Sequence, residues 1–169
     1  MKLERPLAET YWVVPGKFLA GPYPGSRKES TGHEKVQSLL AGGVQLFLDL
    51  TEPDEMPPYA PWLVGKAQHI RMPIRNFDIP TPAHMLNILD AIDRALLKQR
   101  MVYVHCLGGL GRTGTVVGCY LVRHGMDGDA ALRHIRTLRK VTPFPKSLSP
   151  ETDAQRRMVQ MWDERALEV

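Results

Sequence analysis

Short apolar or alternating runs predict about five β-strands along the chain. They lie at Tyr11–Val14, Lys17–Ala20, Val44–Leu50, Gln68–Met72 and Met101–His105. The last three runs are rich in strand-forming residues and are bounded by glycine, proline or polar turn residues. The segments between the strands therefore decide the architecture.

Apolar residues at helical spacing predict one helix after the second strand and another after the fourth. The first follows a capping-box pattern, Thr31 to Glu34, and is closed by Gly42. The second has Thr81 as its N-cap and Pro82 in its first turn. Its apolar face is expected to cover the sheet.

Three further helices are predicted after the last strand. The segment Thr113–His124 is apolar on nearly every side, as expected of a buried helix. Asp127 and the pair Ser149-Pro150 mark the starts of the other two. Helices therefore dominate the end of the chain.

Together these elements predict an α/β fold with a central, mostly parallel sheet and helices on both faces. A chain of 169 residues can build one substantial core, so we predict a single domain over residues 1–169. The proline-rich segments Pro53–Pro61 and Thr142–Pro150 are predicted to be surface loops near a site.

Composition and charge narrow the classes of partner and compartment. The net charge of +4 favours anionic ligands but is too small for a nucleic-acid interface. Cys106 and Cys119 have neither disulfide-framework nor metal-binding spacing. The first residues lack the apolar core of a signal peptide, and no run reaches the ~20 apolar residues of a membrane span. We expect a cytoplasmic protein that binds neither membranes nor nucleic acids.

The segment from Cys106 to Arg112 carries the chemistry, because a strand there runs into a glycine-rich loop and then directly into a helix. Gly108, Gly109 and Gly111 let main-chain N–H groups turn inward into an anion-binding nest, and the helix adds its positive end. These groups favour the thiolate form of a cysteine at the head of the loop. The segment predicts a phosphate-binding loop with an activated nucleophile.

Arg112 and Thr113 complete this predicted site. A guanidinium can curl back over the loop and hold two phosphoryl oxygens at once, which a lysine cannot do. The Thr113 hydroxyl can donate a hydrogen bond to the sulfur as it leaves the phosphorus. Cys106 is thus the predicted nucleophile, and the predicted phosphate-binding residues are Leu107, Gly108, Gly109, Leu110, Gly111 and Arg112.

The pattern H-C-x-x-G-x-x-R-T, from His105 to Thr113, resembles the H-C-x-x-G-x-x-R-[ST] motif of the protein tyrosine and dual-specificity phosphatases. The stretch from Leu19 to Gly25 is also similar to the small, bacterial-type dual-specificity members. The resemblance implies the cysteine-phosphatase fold, a cysteinyl-phosphate intermediate, and neither a metal nor another cofactor. The non-functional alternative is that Cys106 is a buried core residue and that the glycines only form a tight strand-to-helix turn. Such a turn does not require an arginine at position 112.

The same resemblance implies a general acid on a loop ahead of the cysteine, which then also activates water for the second step. Asp78 is the candidate, between the fourth strand and the second helix. Many bacterial relatives carry this aspartate at the position of Asn76, whose amide does not donate a proton usefully near neutral pH. Glu52 or Asp54 is the alternative acid. A further alternative is that Asp78 is only a turn residue without a catalytic role.

Two supporting residues are weaker candidates. His105, directly before the nucleophile, is expected to orient the loop through hydrogen bonds. Gln155 resembles a glutamine that positions water in some relatives, although an exposed residue in a first helical turn is an equal alternative.

We therefore predict a monomeric phosphomonoester hydrolase that acts on phosphotyrosine, with phosphoserine and phosphothreonine as further substrates. Its partner is a phosphorylated protein or a small phosphomonoester. The same chemistry on inositol phosphates, phosphoinositides or RNA 5′-triphosphates is an alternative, but such polyanions favour lysines in the loop, and this loop has none. A catalytically weak phospho-ligand binding module is another alternative.

Overall fold

The computed structural model describes residues 3–167 and contains one five-stranded sheet. The strands are β1 (Tyr11–Val14), β2 (Phe18–Gly21), β3 (Val44–Asp49), β4 (Gln68–Arg71) and β5 (Met101–His105). Their order in the sheet is β1-β2-β5-β3-β4. β1 pairs with β2 in antiparallel fashion, and the other neighbours are parallel. The predicted mostly parallel sheet is confirmed.

Five α-helices cover the two faces of this sheet. They are α1 (Glu29–Ala41), α2 (Pro82–Leu97), α3 (Gly111–Arg123), α4 (Gly128–Leu138) and α5 (Asp153–Met161). Short 3-10 helices lie at Ala60–Leu63, Arg139–Val141 and Glu164–Leu167. Within residues 3–167, no helix combines the length and the apolar character needed to cross a bilayer.

The central strand β5 shows how the two faces are filled. Val102 and Val104 point into the core that contains residues of α2, α3, α4 and α5. Tyr103, between them, points into the core on the α1 side. Because β5 is also paired along both edges, with β2 and β3, its carboxyl end is held rigidly. Helices on both faces, as predicted, therefore fix the position at which Cys106 follows the strand.

The start of α1 differs from the prediction. The helix begins at Glu29 with Lys28 as its N-cap, so the capping-box pattern at Thr31 lies inside it. Gly32 explains the difference, because a Cβ there would be 2.7 Å from the Ser26 nitrogen. This tight contact with the preceding main chain allows the helix to begin a turn early. Its predicted end is confirmed, since Gly42 is the C-cap.

The predicted start of α5 at Ser149 is also wrong. Thr152 is the N-cap, and it forms a capping box with Gln155. The Ser149 hydroxyl instead donates a hydrogen bond to the Leu110 carbonyl at 2.7 Å, which ties Ser149 to the phosphate loop ahead of the helix. The predicted N-caps Thr81 and Asp127 are both confirmed by hydrogen bonds to main-chain N–H groups.

Candidate active site

The loop after Cys106 is held in place by the chain that follows β2. The Tyr23 N–H donates to the Leu107 carbonyl at 3.0 Å. Gly109 has a φ of +73°, and a Cβ there would lie 2.5 Å from the Gly21 carbonyl carbon. Only glycine fits this position, because both the backbone conformation and the close approach exclude a side chain. The loop is thus pressed onto the end of β2.

The main-chain N–H groups of this loop are free to bind an anion. Within residues 3–167, no backbone carbonyl accepts a hydrogen bond from the N–H groups of residues 107–112. α3 begins inside the loop, at Gly111, and adds the positive end of its dipole. Cys106, only 3% exposed, lies at the head of this row of donors. The arrangement is suited to a phosphate group bound next to the sulfur.

Arg112 is buried yet keeps one edge of its guanidinium unused. Its Nη1 and Nη2 donate to the two carboxylate oxygens of Glu55 at 2.5 and 2.8 Å, and Nη1 also donates to the Ile74 carbonyl at 3.0 Å. The Nε–H and the second Nη2–H remain, and they lie on one edge in the fork that matches two phosphoryl oxygens. Burial opposes the charge, but Glu55 and then the Cys106 thiolate raise the pKa of Arg112.

Glu55 is a functional residue that sequence reasoning missed. Burial alone would raise the pKa of its carboxyl, but the hydrogen bond from Arg112 outweighs burial and holds the pKa below its usual value. An ionised carboxylate fixed on Arg112 is an anchor, not a proton donor. The alternative acids Glu52 and Asp54 lie exposed on the same loop, and Glu55 is the carboxylate of this loop that contacts Arg112.

His105 is fully buried and carries the predicted hydrogen bonds. Its Nδ1 lies 3.1 Å from the Cys106 carbonyl, and its Nε2 lies 2.5 Å from the Tyr59 hydroxyl. Burial lowers its pKa to about 4, against the opposing charge of Asp49. A neutral ring fits both contacts, with Nδ1–H donating to the Cys106 carbonyl and the Tyr59 hydroxyl donating to Nε2. The contacts support His105 as an orienting residue.

Asp49, at the end of β3, is a buried anion beneath the site. Its carboxylate accepts hydrogen bonds from the Thr51 N–H at 2.9 Å and from the Thr51 hydroxyl at 2.6 Å. His69 Nε2 at 3.0 Å and Arg71 Nη2 at 3.2 Å complete its surroundings. Burial would raise the pKa of Asp49, but the hydrogen bond with His69, the nearby His105 and the hydrogen bonds from Thr51 hold it well below its usual range. The sequence could have indicated this residue, because Asp49 is a charged residue at the end of a mostly apolar strand.

Thr113 lies in the first turn of α3 and is fully buried. Its hydroxyl has no hydrogen-bond partner within the described part of the chain. A buried, unpaired hydroxyl is costly, so such a group beside a reactive loop suggests a partner that is formed during the reaction.

The predicted acid, Asp78, lies on a loop that is fastened to the site at two points. Arg112 binds the Ile74 carbonyl at one end, and Gln155 Nε2 donates to the Asp78 carbonyl at 3.1 Å. The Asp78 side chain itself is exposed, and its Oδ1 accepts from the Ile79 N–H at 2.8 Å. Asn76 is exposed as well. The loop thus presents a solvent-accessible carboxylate near the phosphate loop.

Gln155 is buried, so the alternative of an exposed helical residue is wrong. Its Oε1 accepts from the N–H groups of Glu151 and Thr152, both at 3.1 Å, and its Nε2 binds the Asp78 loop. The side chain therefore joins the start of α5 to the acid loop. One N–H of its Nε2 remains without a partner in residues 3–167.

A cavity of about 470 Å³ opens beside the phosphate loop. Gly108, Gly109 and Leu110 form one wall, and the loop that contains Phe144 forms another. Arg139, which is buried, closes this loop by donating to the Phe144 and Ser147 carbonyls. The segment Thr142–Pro150 is thus a loop near the site, as predicted, and Pro53–Pro61 carries Glu55 to Arg112.

Comparison with known proteins places this geometry in a family. Residues 7–165 match the family model described as a Swiss Army Knife protein, DSP-PTPase phosphatase domain. The chain belongs to the dual-specificity type of the protein tyrosine phosphatase family. The resemblance of the H-C-x-x-G-x-x-R-T pattern is confirmed by this match.

Individual relatives within this family are more distant. The chain is 32% identical to phosphatidylglycerophosphate phosphatase PTPMT2 of Arabidopsis thaliana over 62% of its length and 46% of that protein. It is 28% identical to dual specificity protein phosphatase CDC14C of Homo sapiens over 67% of its length and 26% of that protein. It therefore spans less than half of these relatives.

The fold of this phosphatase-family chain is close to that of a solved structure. The active form of Tk-PTP superposes with a TM-score of 0.77, covering 93% of this chain and 97% of that one. The sequence identity is 23%, so the likeness shows the shared fold.

Proposed function

We propose that the chain hydrolyses phosphomonoesters through a cysteinyl-phosphate formed on Cys106. The observation that supports this most strongly is the loop itself. A cysteine stands at the head of six main-chain N–H groups that bind no described carbonyl, and the free edge of Arg112 belongs to the same loop. Such fixed donors stabilise the charge that develops on a transferring phosphoryl group.

In the first step, the Cys106 thiolate attacks phosphorus and the bond to the leaving oxygen breaks. Asp78 protonates that oxygen as it departs. The exposure of its carboxylate supports this role, because the leaving group must reach it from solvent. The anchoring of the acid loop by Arg112 and Gln155 supports it further, since a positioned acid needs a fixed main chain.

In the second step, water attacks the phosphorus of the intermediate and the sulfur leaves as thiolate. Arg112 holds two phosphoryl oxygens throughout both steps. The unpaired hydroxyl of Thr113 gains a partner when it donates to the departing sulfur, which would stabilise the thiolate. His105 keeps the start of the loop in place through its bond to the Cys106 carbonyl.

Phosphotyrosine is the substrate that the loop favours. Its six residues after Cys106 contain no lysine, so the loop is suited to a single dianionic phosphate and not to a polyphosphate. The cavity beside it offers the exposed Phe144 ring as a surface for the rest of the substrate. Phosphoserine and phosphothreonine are shorter side chains that would place the phosphate less deeply.

A phospholipid monoester is the second candidate substrate. It is favoured by the similarity to a protein named phosphatidylglycerophosphate phosphatase. Phe77 and Phe144, 60% and 67% exposed, lie in loops that flank the site and would tolerate an apolar neighbour. We place this candidate second because the loop that carries Glu55 to Arg112 also exposes the acidic Glu52 and Asp54, which disfavour an anionic lipid surface.

A substrate panel tests the proposal. Turnover would be measured with an aryl phosphate, a phosphotyrosine peptide, a phosphothreonine peptide, an inositol polyphosphate and phosphatidylglycerophosphate in detergent micelles. We expect the highest kcat/KM for the phosphotyrosine peptide among the biological substrates. A higher value for the lipid would replace phosphotyrosine with the second candidate, and no turnover of any substrate would favour a phospho-ligand binding module.

We propose that the protein acts as a monomer. Its binding partner would be a phosphorylated protein or a small phosphomonoester. The predictions that the chain binds neither nucleic acid nor membranes, and that it lies in the cytoplasm, still rest on the sequence alone. Size-exclusion chromatography with light scattering tests the monomer directly, and a mass of twice the chain would contradict it.

A further inference from the structure

A second carboxylate, Glu151, lies against the phosphate loop. A Cβ placed on Gly111 would be 2.5 Å from Glu151 Oε2 and 3.0 Å from both Nε2 and Oε1 of Gln155. Gly111 directly precedes Arg112 and is the first residue of α3. A carboxylate oxygen and a side-chain amide therefore converge on the last glycine of the loop, which explains why this position has no side chain.

The segment that carries Glu151 is fixed on both sides. The Ser149 hydroxyl binds the Leu110 carbonyl at 2.7 Å, and Gln155 Oε1 accepts from the Glu151 N–H at 3.1 Å. Arg156 also donates to the Glu151 carbonyl at 3.0 Å. The main chain of residue 151 thus has little freedom, which is what a catalytic side chain needs.

The Glu151 carboxylate is not engaged by a basic side chain within residues 3–167. It forms no ion pair with a described basic residue. Its side chain is half-buried, whereas Asp78 is exposed and already accepts a hydrogen bond from the Ile79 N–H. Gln155 is therefore placed between the Glu151 segment, from whose N–H it accepts a hydrogen bond, and the acid loop, whose Asp78 carbonyl it binds.

We propose that Glu151, and not Asp78, is the base of the hydrolytic step, an inference that rests on the proposed function. Water attacks the phosphorus of the cysteinyl-phosphate while its proton passes to a Glu151 oxygen. The phosphorus–sulfur bond breaks, and its electron pair stays on Cys106 as thiolate. The products are phosphate, the thiolate and a protonated Glu151, which then releases its proton to solvent.

Gln155 completes this arrangement as a positioning residue. One N–H of its Nε2 binds the Asp78 carbonyl, and the other is unpaired within the described chain. Because Nε2 and Glu151 Oε2 both approach Gly111, a water between them can donate to the carboxylate and accept from the amide. In this arrangement Asp78 donates a proton to the leaving group, and Glu151 accepts a proton from the attacking water.

Glu151→Gln separates the two steps. With a phosphotyrosine peptide, kcat should fall by about 10². The value of kcat/KM should stay within about threefold of wild type, because it reports only steps through formation of the intermediate. Rapid mixing should show a burst close to one product per enzyme, followed by slow decay of the phosphoenzyme. Asp78→Asn should instead lower kcat/KM and show no burst.

Glu34→Gln is the matched control, since Glu34 is an exposed carboxylate on α1 that forms no ion pair within residues 3–167. It should leave both kinetic parameters unchanged. The unchanged kcat/KM of Glu151→Gln also serves as its folding control, and Glu151→Asp should recover part of the lost decay rate. Decay of the phosphoenzyme at the wild-type rate in Glu151→Gln would overturn the inference, as would an equal loss of kcat and kcat/KM without a burst. Turnover that persists in Cys106→Ser would instead overturn the proposed function.

Discussion

Glu55 binds both terminal nitrogens of Arg112, at 2.5 and 2.8 Å. The two residues are 57 positions apart in the sequence. The pair sets the plane of the guanidinium, so that the edge with Nε is the one left for a ligand. Arg112 is thereby preorganised before a phosphate arrives, and catalysis does not have to supply the cost of orienting it.

Glu55→Gln should therefore weaken catalysis without removing the nucleophile. The amide can accept one hydrogen bond from Arg112 but supplies no charge, and hydrogen bonds to charged groups contribute about 1.5–3 kcal/mol. We expect kcat/KM on a phosphotyrosine peptide to fall about 10- to 100-fold. Glu34→Gln is the control, because Glu34 is exposed on α1 and lies outside the loop that carries Glu55. Equal activity of the two variants would show that the ion pair has no catalytic role.

The assignment of Asp78 can be tested through the leaving group. Asp78→Asn should lower kcat/KM by about 10²–10⁴ on a phosphotyrosine peptide, the usual range for a positioned acid. The loss should shrink on an aryl phosphate with an acidic phenol, since such a group departs without protonation. A wild-type rate on every substrate, together with a large loss in Glu52→Gln or Asp54→Asn, would move the acid to the neighbouring loop.

Asn76→Asp is the companion test of the same loop. Asn76 is exposed and lies two residues before Asp78 in the same loop. If Asp78 is a competent acid, a second carboxylate should change kcat/KM little. A large gain in Asn76→Asp would instead mean that the native loop lacks a well-placed acid.

His105 predicts a pH dependence of stability. Its pKa is lowered from 6.5 to about 4 by burial, so the unfolded chain takes up a proton in this interval and the folded chain does not. The free energy of unfolding should thus fall as the pH drops from about 6.5 to about 4, by up to about 3 kcal/mol from this residue. Urea titrations at several pH values give the free energy of unfolding of wild type and of His105→Gln. This free energy should depend less steeply on pH in the variant. The same pH dependence of the free energy of unfolding in both proteins would contradict a buried, neutral His105.

The position of Cys106 at the head of the anion-binding loop predicts a response to oxidation. Peroxide should inactivate the enzyme reversibly at Cys106, with recovery by a thiol reductant, whereas EDTA should have no effect. Cys119→Ser should respond to peroxide as wild type does, because Cys119 is buried in the core and burial raises its pKa. Loss of activity with EDTA, restored by a divalent ion, would overturn the metal-free mechanism.

The features that are local in sequence could be predicted, and those that depend on packing could not. The segment from Cys106 to Thr113 carries nucleophile, loop and helix start within a few residues, so its pattern was readable. Glu55 and Glu151 reach the site only through the fold, and each lies in a loop whose acidic residues resemble ordinary surface charges. No periodicity distinguishes Glu55 from Glu52, since the Arg112 contact alone selects it.

The two misplaced helix starts have the same origin. The Thr31 pattern is a sound local cap, but Gly32 packs against the main chain at Ser26, and this contact favours an earlier start. Ser149 is likewise a good N-cap residue, yet its hydroxyl is bound by the Leu110 carbonyl of the phosphate loop. In both cases a tertiary contact outweighs a local preference whose free energy is about 1 kcal/mol.

The most direct test of the central claim is the activity of Cys106→Ser on a phosphotyrosine peptide, measured with its affinity for the same peptide. The serine keeps the shape of the loop, but its hydroxyl is not ionised near neutral pH. We predict that turnover is abolished and no phosphoenzyme forms, while the dissociation constant stays within a few-fold of the wild-type KM. Turnover by Cys106→Ser within about tenfold of wild type would contradict the account.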